Sequence, residues 1–335
     1  MSGTSKTKVI RVGKLYIMTN SPSPKHQTPH SNSPTHHGHT IKEDRLAKYR
    51  NGREKDLTVT KYRPLEVVNF NPPIDAIRHG FGENGMRYIF GDLPLDEFEE
   101  GKIREMHTYL KSRHVSLKNT AFCDNHLLLR YLQGNEYDFV KAWDDIKRHV
   151  RWRQNFRMIE DRNKLEKLLR NGYCYIHGRD KLLRPIIVFR AKAFLDGEEP
   201  DNIIHVVYYW FEFVITNMLA WNRVEQWRVI MDLQDVTFYN APISLLKDIA
   251  INLQRNYRGY LAQMSFINAP IIFWGLWQAI SLVLPQSTRD KITLCTSDYK
   301  SELLKWINPN QLEKKYHGTA SDVNSFREPV LPPLH

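Results

Sequence analysis

FINAPIIFWGLWQAISLVLPQSTRDK, Phe266 to Lys291, is the stretch on which the reading of the fold turns. A short apolar strand, Met264 to Ile267, runs into an Asn-Ala-Pro break. Fourteen residues follow, Ile271 to Leu284, without a formal charge, and Pro285 closes the segment. A helix of that length reaches about 21 Å, short of a hydrocarbon core of about 30 Å. It is therefore expected to be buried or interfacial rather than membrane-spanning. On a helical wheel Phe273, Leu276, Trp277, Ile280 and Leu284 share one apolar face. The opposite face carries Gln278 and Ser281 but also Trp274 and Leu282, so it is only weakly polar. Such a helix is hidden in a core, presented to a membrane, or both in turn.

The same texture extends upstream. RPIIVFR (Arg184–Arg190), RVIMD (Arg228–Asp232), MSFI around Phe266 and KITLC around Ile292 are short runs apolar on both faces. That pattern predicts parallel strands covered on both sides. Between them, Ile203–Trp221, Pro242–Tyr257 and Ile271–Leu284 are long enough for crossover helices, with Pro242 suited to a helix N-terminus. The predicted class is α/β, with a β-α-β-α-β-α-β order and no internal repeat.

A small all-helical module is expected ahead of it, over residues 95–170. Glu97–Leu110 is rich in helix formers, and HLLLRYL follows Asn125, with Leu128 and Leu132 on one side. Gly134 and Asn135 end that helix, and Asp138 reads as the N-cap of the next. There Phe139, Ala142, Trp143, Ile146 and Val150 recur at helical spacing. Lys141, Lys147, Arg148, Arg151 and Arg153 occupy the other side, as a solvated charged face. Residues 1–94 are expected to be a basic, largely disordered extension. Within it, residues 19–40 form a Ser/Pro/His-rich linker whose His36, His37 and His39 have no scaffold to chelate a metal tightly. Residues 321–335 form a C-terminal tail.

The net charge of +11 suggests nucleic acid until its distribution is read. Up to Arg63 there are 13 Lys/Arg against 4 Asp/Glu, while the other 272 residues carry 35 against 33. The folded part is nearly neutral, so no nucleic-acid partner is expected, and the surplus belongs to a tail that anionic lipid would attract. Cys123, Cys174 and Cys295 are odd in number and form no CxxC, which fits reduced thiols and a cytoplasmic protein.

Catalytic constellations are missing from the sequence: no G-x-G-x-x-G after a strand, no P-loop, no H-E-x-x-H, no G-x-S-x-G. Asp232 and Asp235 end a strand, but without a base, nucleophile or metal partner they read as capping or loop-fixing residues. His177, in YIHGRD, reads as a loop histidine at a hairpin turn. No catalytic residue, metal or cofactor is therefore expected, and the chain reads as a binding protein rather than an enzyme. IIHVVYYWFEFVITNMLAW, Ile203 to Trp221, is apolar nearly all round with Glu212 its only acid. It is either the central helix of a large core or one wall of an apolar cavity, and the greasy helix downstream favours the cavity.

Together these motifs resemble the CRAL-TRIO lipid-binding family, which includes phosphatidylinositol/phosphatidylcholine transfer proteins. LLLRYL (Leu127–Leu132), YDFVKAW and Arg151-Trp152-Arg153 match its N-terminal helical module. RPIIVF (Arg184–Phe189), VIMDLQ (Val229–Gln234), INAP (Ile267–Pro270), LPQSTRDKI (Leu284–Ile292) and SELLKWINPNQLEKKYHG (Ser301–Gly318) follow in the family order. The resemblance covers residues 95–320, with the lipid-binding domain over 171–320. It implies a parallel or mixed sheet with covering helices and one hydrophobic pocket, closed by a helical gate equivalent to Ile271–Leu284.

On that resemblance the expected pocket residues are Phe189, Tyr208, Phe211, Ile215, Met231 and Phe266. The gate residues are Phe273, Leu276, Trp277, Ile280 and Leu284. Thr288 and Lys291 match the Thr and Lys that contact the inositol phosphate in phosphoinositide-binding members. Two stretches depart: Gln133-Gly134-Asn135-Glu136 replaces a basic run, and Arg258-Gly259-Tyr260 replaces a Pro-Glu-Arg. The implied function is to carry one phospholipid or similar hydrophobe as a monomer that docks transiently on membranes. The alternative is a non-transferring membrane-docking or lipid-sensing module.

Overall fold

The computed structural model describes residues 8–12, 15–19, 57–117, 122, 124–236, 243–271, 273–295 and 298–334. The His-rich linker, Cys123, Pro242 and the Leu276 side chain lie outside the described residues. Two compact units are present: Met1–Asp56, Phe81–Asn84 and Pro94–Gln154 form one, and Leu57–Gly80, Gly85–Leu93 and Asn155–His335 the other.

The first unit holds the expected helices. Glu97–Ser112 begins at a capping box in which Asp96 accepts from the Glu99 N–H and Glu99 accepts from the Asp96 N–H. Asn125–Gln133 is capped by Asp124. Phe139–Asn155 starts where the Asp138 carboxylate accepts from the Lys141 N–H at 3.0 Å, the cap read from the sequence. Its buried side is Ala142, Trp143, Ile146 and, less expectedly, Asp145 and His149. Its charged side is laced by i,i+3 pairs, Lys141–Asp138 at 3.3 Å and Lys147–Asp144 at 2.6 Å. A hairpin of Lys8–Val12 and Leu15–Thr19 pairs with Val115–Ser116 in a three-stranded sheet.

The second unit is built on a five-stranded mixed sheet. Its strands are β1 (Cys174–Arg179), β2 (Pro185–Arg190), β3 (Trp227–Asp232), β4 (Leu261–Ile267) and β5 (Ile292–Leu294), in spatial order β5-β4-β3-β2-β1. β2 to β5 are parallel, and β1 joins antiparallel to β2. The three crossovers contain helices α1 (Pro200–Asn217), α2 (Ile243–Asn256) and α3 (Phe273–Ser281). Each steps one strand in the same direction, so crossovers of one hand lay their helices on one face. The other face is covered by α4 (Lys300–Trp306) and the chain after it.

The pleat sorts side chains between these faces. On the helix-covered face stand Phe189, Met231, Met264, Phe266, Ile292 and Leu294; on the other stand Ile186, Val188, Ile230 and Ile267, packed on Tyr299, Leu303, Ile307, Leu312 and Tyr316.

Four differences from the sequence reading stand out. The fourteen-residue helix Ile271–Leu284 is shorter: α3 has nine residues, and Leu282–Leu284 turn out of it before Pro285. Pro285 disfavours helical backbone at the preceding residue. The helix expected over Ile203–Trp221 is α1, shifted back to start at Pro200, where a missing N–H costs nothing. His177 is no loop residue; it lies within β1 and is buried. The turn comes later, where the Asp180 carboxylate accepts from the Leu182 and Arg184 N–H groups. Gly178, at φ +67°, gives β1 its bulge, with no room for a Cβ beside the Gln311 carbonyl. Residues 57–80 and 85–93, which the sequence reading places in the N-terminal extension, pack into the second unit. There Val67, Ile89 and Phe90 are buried, and the Phe90 N–H donates to Glu225 at 2.8 Å.

Candidate functional site

The helix-covered face of the sheet is where the apolar candidates meet. Phe189 and Met231 are register partners on β2 and β3, and Met231 pairs with Phe266 on β4. α3 lies over the last of these. The Phe266 ring is 5.3 Å from Phe273 and 5.9 Å from Trp277, centroid to centroid. Phe273, Ile280 and Leu284 are buried, and Trp277 is half-buried. Ala191, Leu233, Val236 and Ala269 complete this cluster.

Tyr208 and Phe211 are placed elsewhere on the same face. α1 is anchored to the antiparallel edge, where the Trp210 indole N–H donates to the Cys174 carbonyl at 2.7 Å. That anchor sets Phe211 4.6 Å from the Trp227 ring and 5.0 Å from Tyr257. Tyr208 is 5.9 Å from Tyr257, and Ile215 is half-buried one turn beyond Phe211. Trp227 and Met231 stand four residues apart on β3, about 13 Å along the strand. The expected pocket residues therefore form two clusters at opposite ends of one apolar strip. The sequence reading missed Trp227, Tyr257 and Tyr260, although their aromatic character was the available signal. Tyr260 lies in one of the two departing stretches, and it stacks on Trp227 at 5.1 Å with rings 4° from parallel. Glu212, in the apolar middle of α1, accepts from the Tyr257 hydroxyl at 2.8 Å, which settles an otherwise costly carboxylate.

The outer side of the α3 segment is the exposed one. Ile271 is 83% exposed, Trp274 48% and Leu282 81%. Beyond it the single turn Gln286–Arg289 carries Thr288, and Lys291 follows directly before β5. The Lys291 N–H donates to the Thr288 carbonyl at 3.1 Å, so the two residues are held together by one turn. The Lys291 ammonium lies 5.9 Å from the Tyr88 ring centroid. Arg289 caps the segment, donating to the Ser281 and Leu284 carbonyls at 3.3 Å each.

Asp232 has the loop-fixing geometry. Its Oδ1 accepts from Asn268 Nδ2 at 2.8 Å and from the Gln234 N–H at 3.1 Å, and its Oδ2 accepts from the Tyr316 hydroxyl at 3.0 Å. Among the described residues no group of three or more His, Cys, Asp or Glu is placed to hold a metal, and no helix is long and apolar enough to cross a membrane.

The CRAL/TRIO domain model matches residues 169–318. Phosphatidylinositol/phosphatidylcholine transfer protein SFH4 of Arabidopsis thaliana is 28% identical over 273 residues, 73% of this chain and 44% of the relative. SEC14 cytosolic factor of Candida glabrata is 25% identical over 252 residues, 68% of this chain and 82% of the relative. The chain spans about half the length of several curated relatives it matches. Among solved structures, the crystal structure of Sfh5 aligns over 88% of this chain and 93% of its own at 13% identity, with a TM-score of 0.47. Residues 169–318, which carry the mixed sheet and its one-sided crossovers, are similar to the CRAL/TRIO domain.

Proposed function

We propose that the chain binds one phospholipid or similar hydrophobe on the helix-covered face of its sheet and moves it between membranes. The observation that carries this reading is the two-sided α3 segment. Phe273, Ile280 and Leu284 are packed inward, while Ile271, Trp274 and Leu282 stand in water without a charge among them. Leaving three large apolar groups exposed has a cost that a membrane interface would recover. The strip from Trp227 to Met231 would take acyl chains, and α3 would act as the gate. Lipid would replace the contacts that α3 makes with Phe266, so that similar apolar area is buried in both states. The relatives named as phosphatidylinositol/phosphatidylcholine transfer proteins support the ligand class. Thr288 and Lys291, beside the gate, would face the headgroup, with the ammonium as a point charge for phosphate. The protein would then act as a monomer at the cytoplasmic surface of membranes, needing no cofactor beyond the bound lipid.

The test is mass spectrometry of the purified protein for co-purifying lipid, joined to transfer of labelled phospholipid between vesicles. Bound phospholipid and saturable transfer are expected. The absence of both bound lipid and transfer would sink the proposal, and bound lipid without transfer would favour a lipid-sensing module.

A further inference from the structure

On the opposite face of the sheet, at the carboxyl ends of β3 and β4, lies a cavity of about 360 Å³. Its walls are Asp232, Asn268, Tyr299 and Tyr316, with Gln234, Asp235 and Lys315 towards the mouth. The volume falls at the lower end of small-molecule sites, about 300 to 1,000 Å³.

The lining excludes most ligand classes. An acyl chain would bury hydroxyl, amide and carboxylate groups without partners. A metal ion would need a set of ligands that is absent among the described residues. An anion would meet two carboxylates and one ammonium, and that ammonium is paired with Glu313 at 2.8 Å. A cation would look to Asp232, whose oxygens already accept from Asn268, Gln234 and Tyr316. A neutral hydroxyl-rich molecule meets none of these objections. Hydroxyls both donate and accept, matching amide, phenol and carboxylate groups in one lining.

We propose that this cavity binds a small, soluble, neutral polyol of monosaccharide or cyclitol size. The site stands apart from the proposed lipid face, because Asp232 and Met231 point to opposite sides of β3. Ligand-detected NMR on the full chain would use D-glucose and myo-inositol as neutral probes, with choline and inorganic phosphate as charged ones. Saturable millimolar binding of a neutral polyol is expected. Gln234→Trp, at an exposed position in the mouth, should weaken it at least about tenfold while phospholipid binding stays unchanged. Asp235→Asn keeps a side chain tolerant of the left-handed backbone at φ +65° and should weaken it severalfold. The proposal is overturned by no saturation with either polyol, by equal binding in both variants, or by preference for choline or phosphate. Binding only to a vesicle-borne glycolipid would also overturn it, since the ligand would then be a headgroup.

Discussion

Replacing Ile271, Trp274 and Leu282 together with Ser removes the apolar outer side of the α3 segment and leaves its packed side untouched. Ile271 and Leu282 are 83% and 81% exposed, and Trp274 is 48% exposed. Burying a large aliphatic side chain is worth about 1.5 to 3 kcal/mol, so these exposures make about 2 kcal/mol for each aliphatic residue and about 1 for the indole. The total of about 5 kcal/mol corresponds to about 4,000-fold in membrane partitioning. Because none of the three supports the fold, melting temperature should change little. Phe273→Ser is the control: Phe273 is only 2% exposed, and truncating such a phenylalanine costs about 3 to 5 kcal/mol of stability. The assay is flotation with vesicles of phosphatidylcholine, with and without anionic lipid, alongside thermal unfolding. The triple variant should lose flotation on both vesicle types and keep its stability, whereas Phe273→Ser should do the reverse. Wild-type flotation by a folded triple variant would refute the reasoning and leave the exposed residues without a membrane role.

Two further outcomes follow from single side chains. Lys291→Ala should weaken binding to anionic phospholipid by about 1 kcal/mol, near fivefold, and leave neutral phospholipid unaffected; undiminished anionic binding would remove Lys291 from the headgroup site. His177 is buried with neither ring nitrogen hydrogen-bonded among the described residues, and burial holds its pKa below the ordinary 6.5, against the opposing field of Glu313. With the folded pKa the lower one, the unfolded chain binds the extra proton first. Stability is therefore full above about pH 6.5 and declines as pH falls through the interval below it. Chemical denaturation of His177→Phe should show a flatter profile between about pH 7 and pH 5, an interval that contains the ordinary histidine value, and an unchanged slope would assign the acid sensitivity to another group.

Much of the fold could be read from local pattern. Between their charged ends the runs RPIIVFR and RVIMD are continuously apolar because both faces of a central strand are covered, and they became β2 and β3. Asp138 was legible because a cap acts within three residues of itself. The site was less legible. Tyr316 reaches Asp232 across 84 positions, and Trp227, Tyr257 and Tyr260 meet Phe211 only after three chain segments converge. His177 looked like a turn residue because Gly178 follows it, yet that glycine marks a bulge within the strand.

What the sequence determined by itself is the class: apolar runs of strand length, separated by helix-length segments, leave an α/β sheet with crossovers on one side. It also determined that Ile271 to Leu284 is too short to span a membrane and too apolar to be an ordinary surface helix. The wheel already put Phe273, Trp277, Ile280 and Leu284 on one face. Only the tertiary structure decided what that face meets, the Phe266 ring on β4, against which Phe273 and Trp277 pack. Ile271, Trp274 and Leu282 were left outside for the same reason, since one sheet face can cover only one side of a helix.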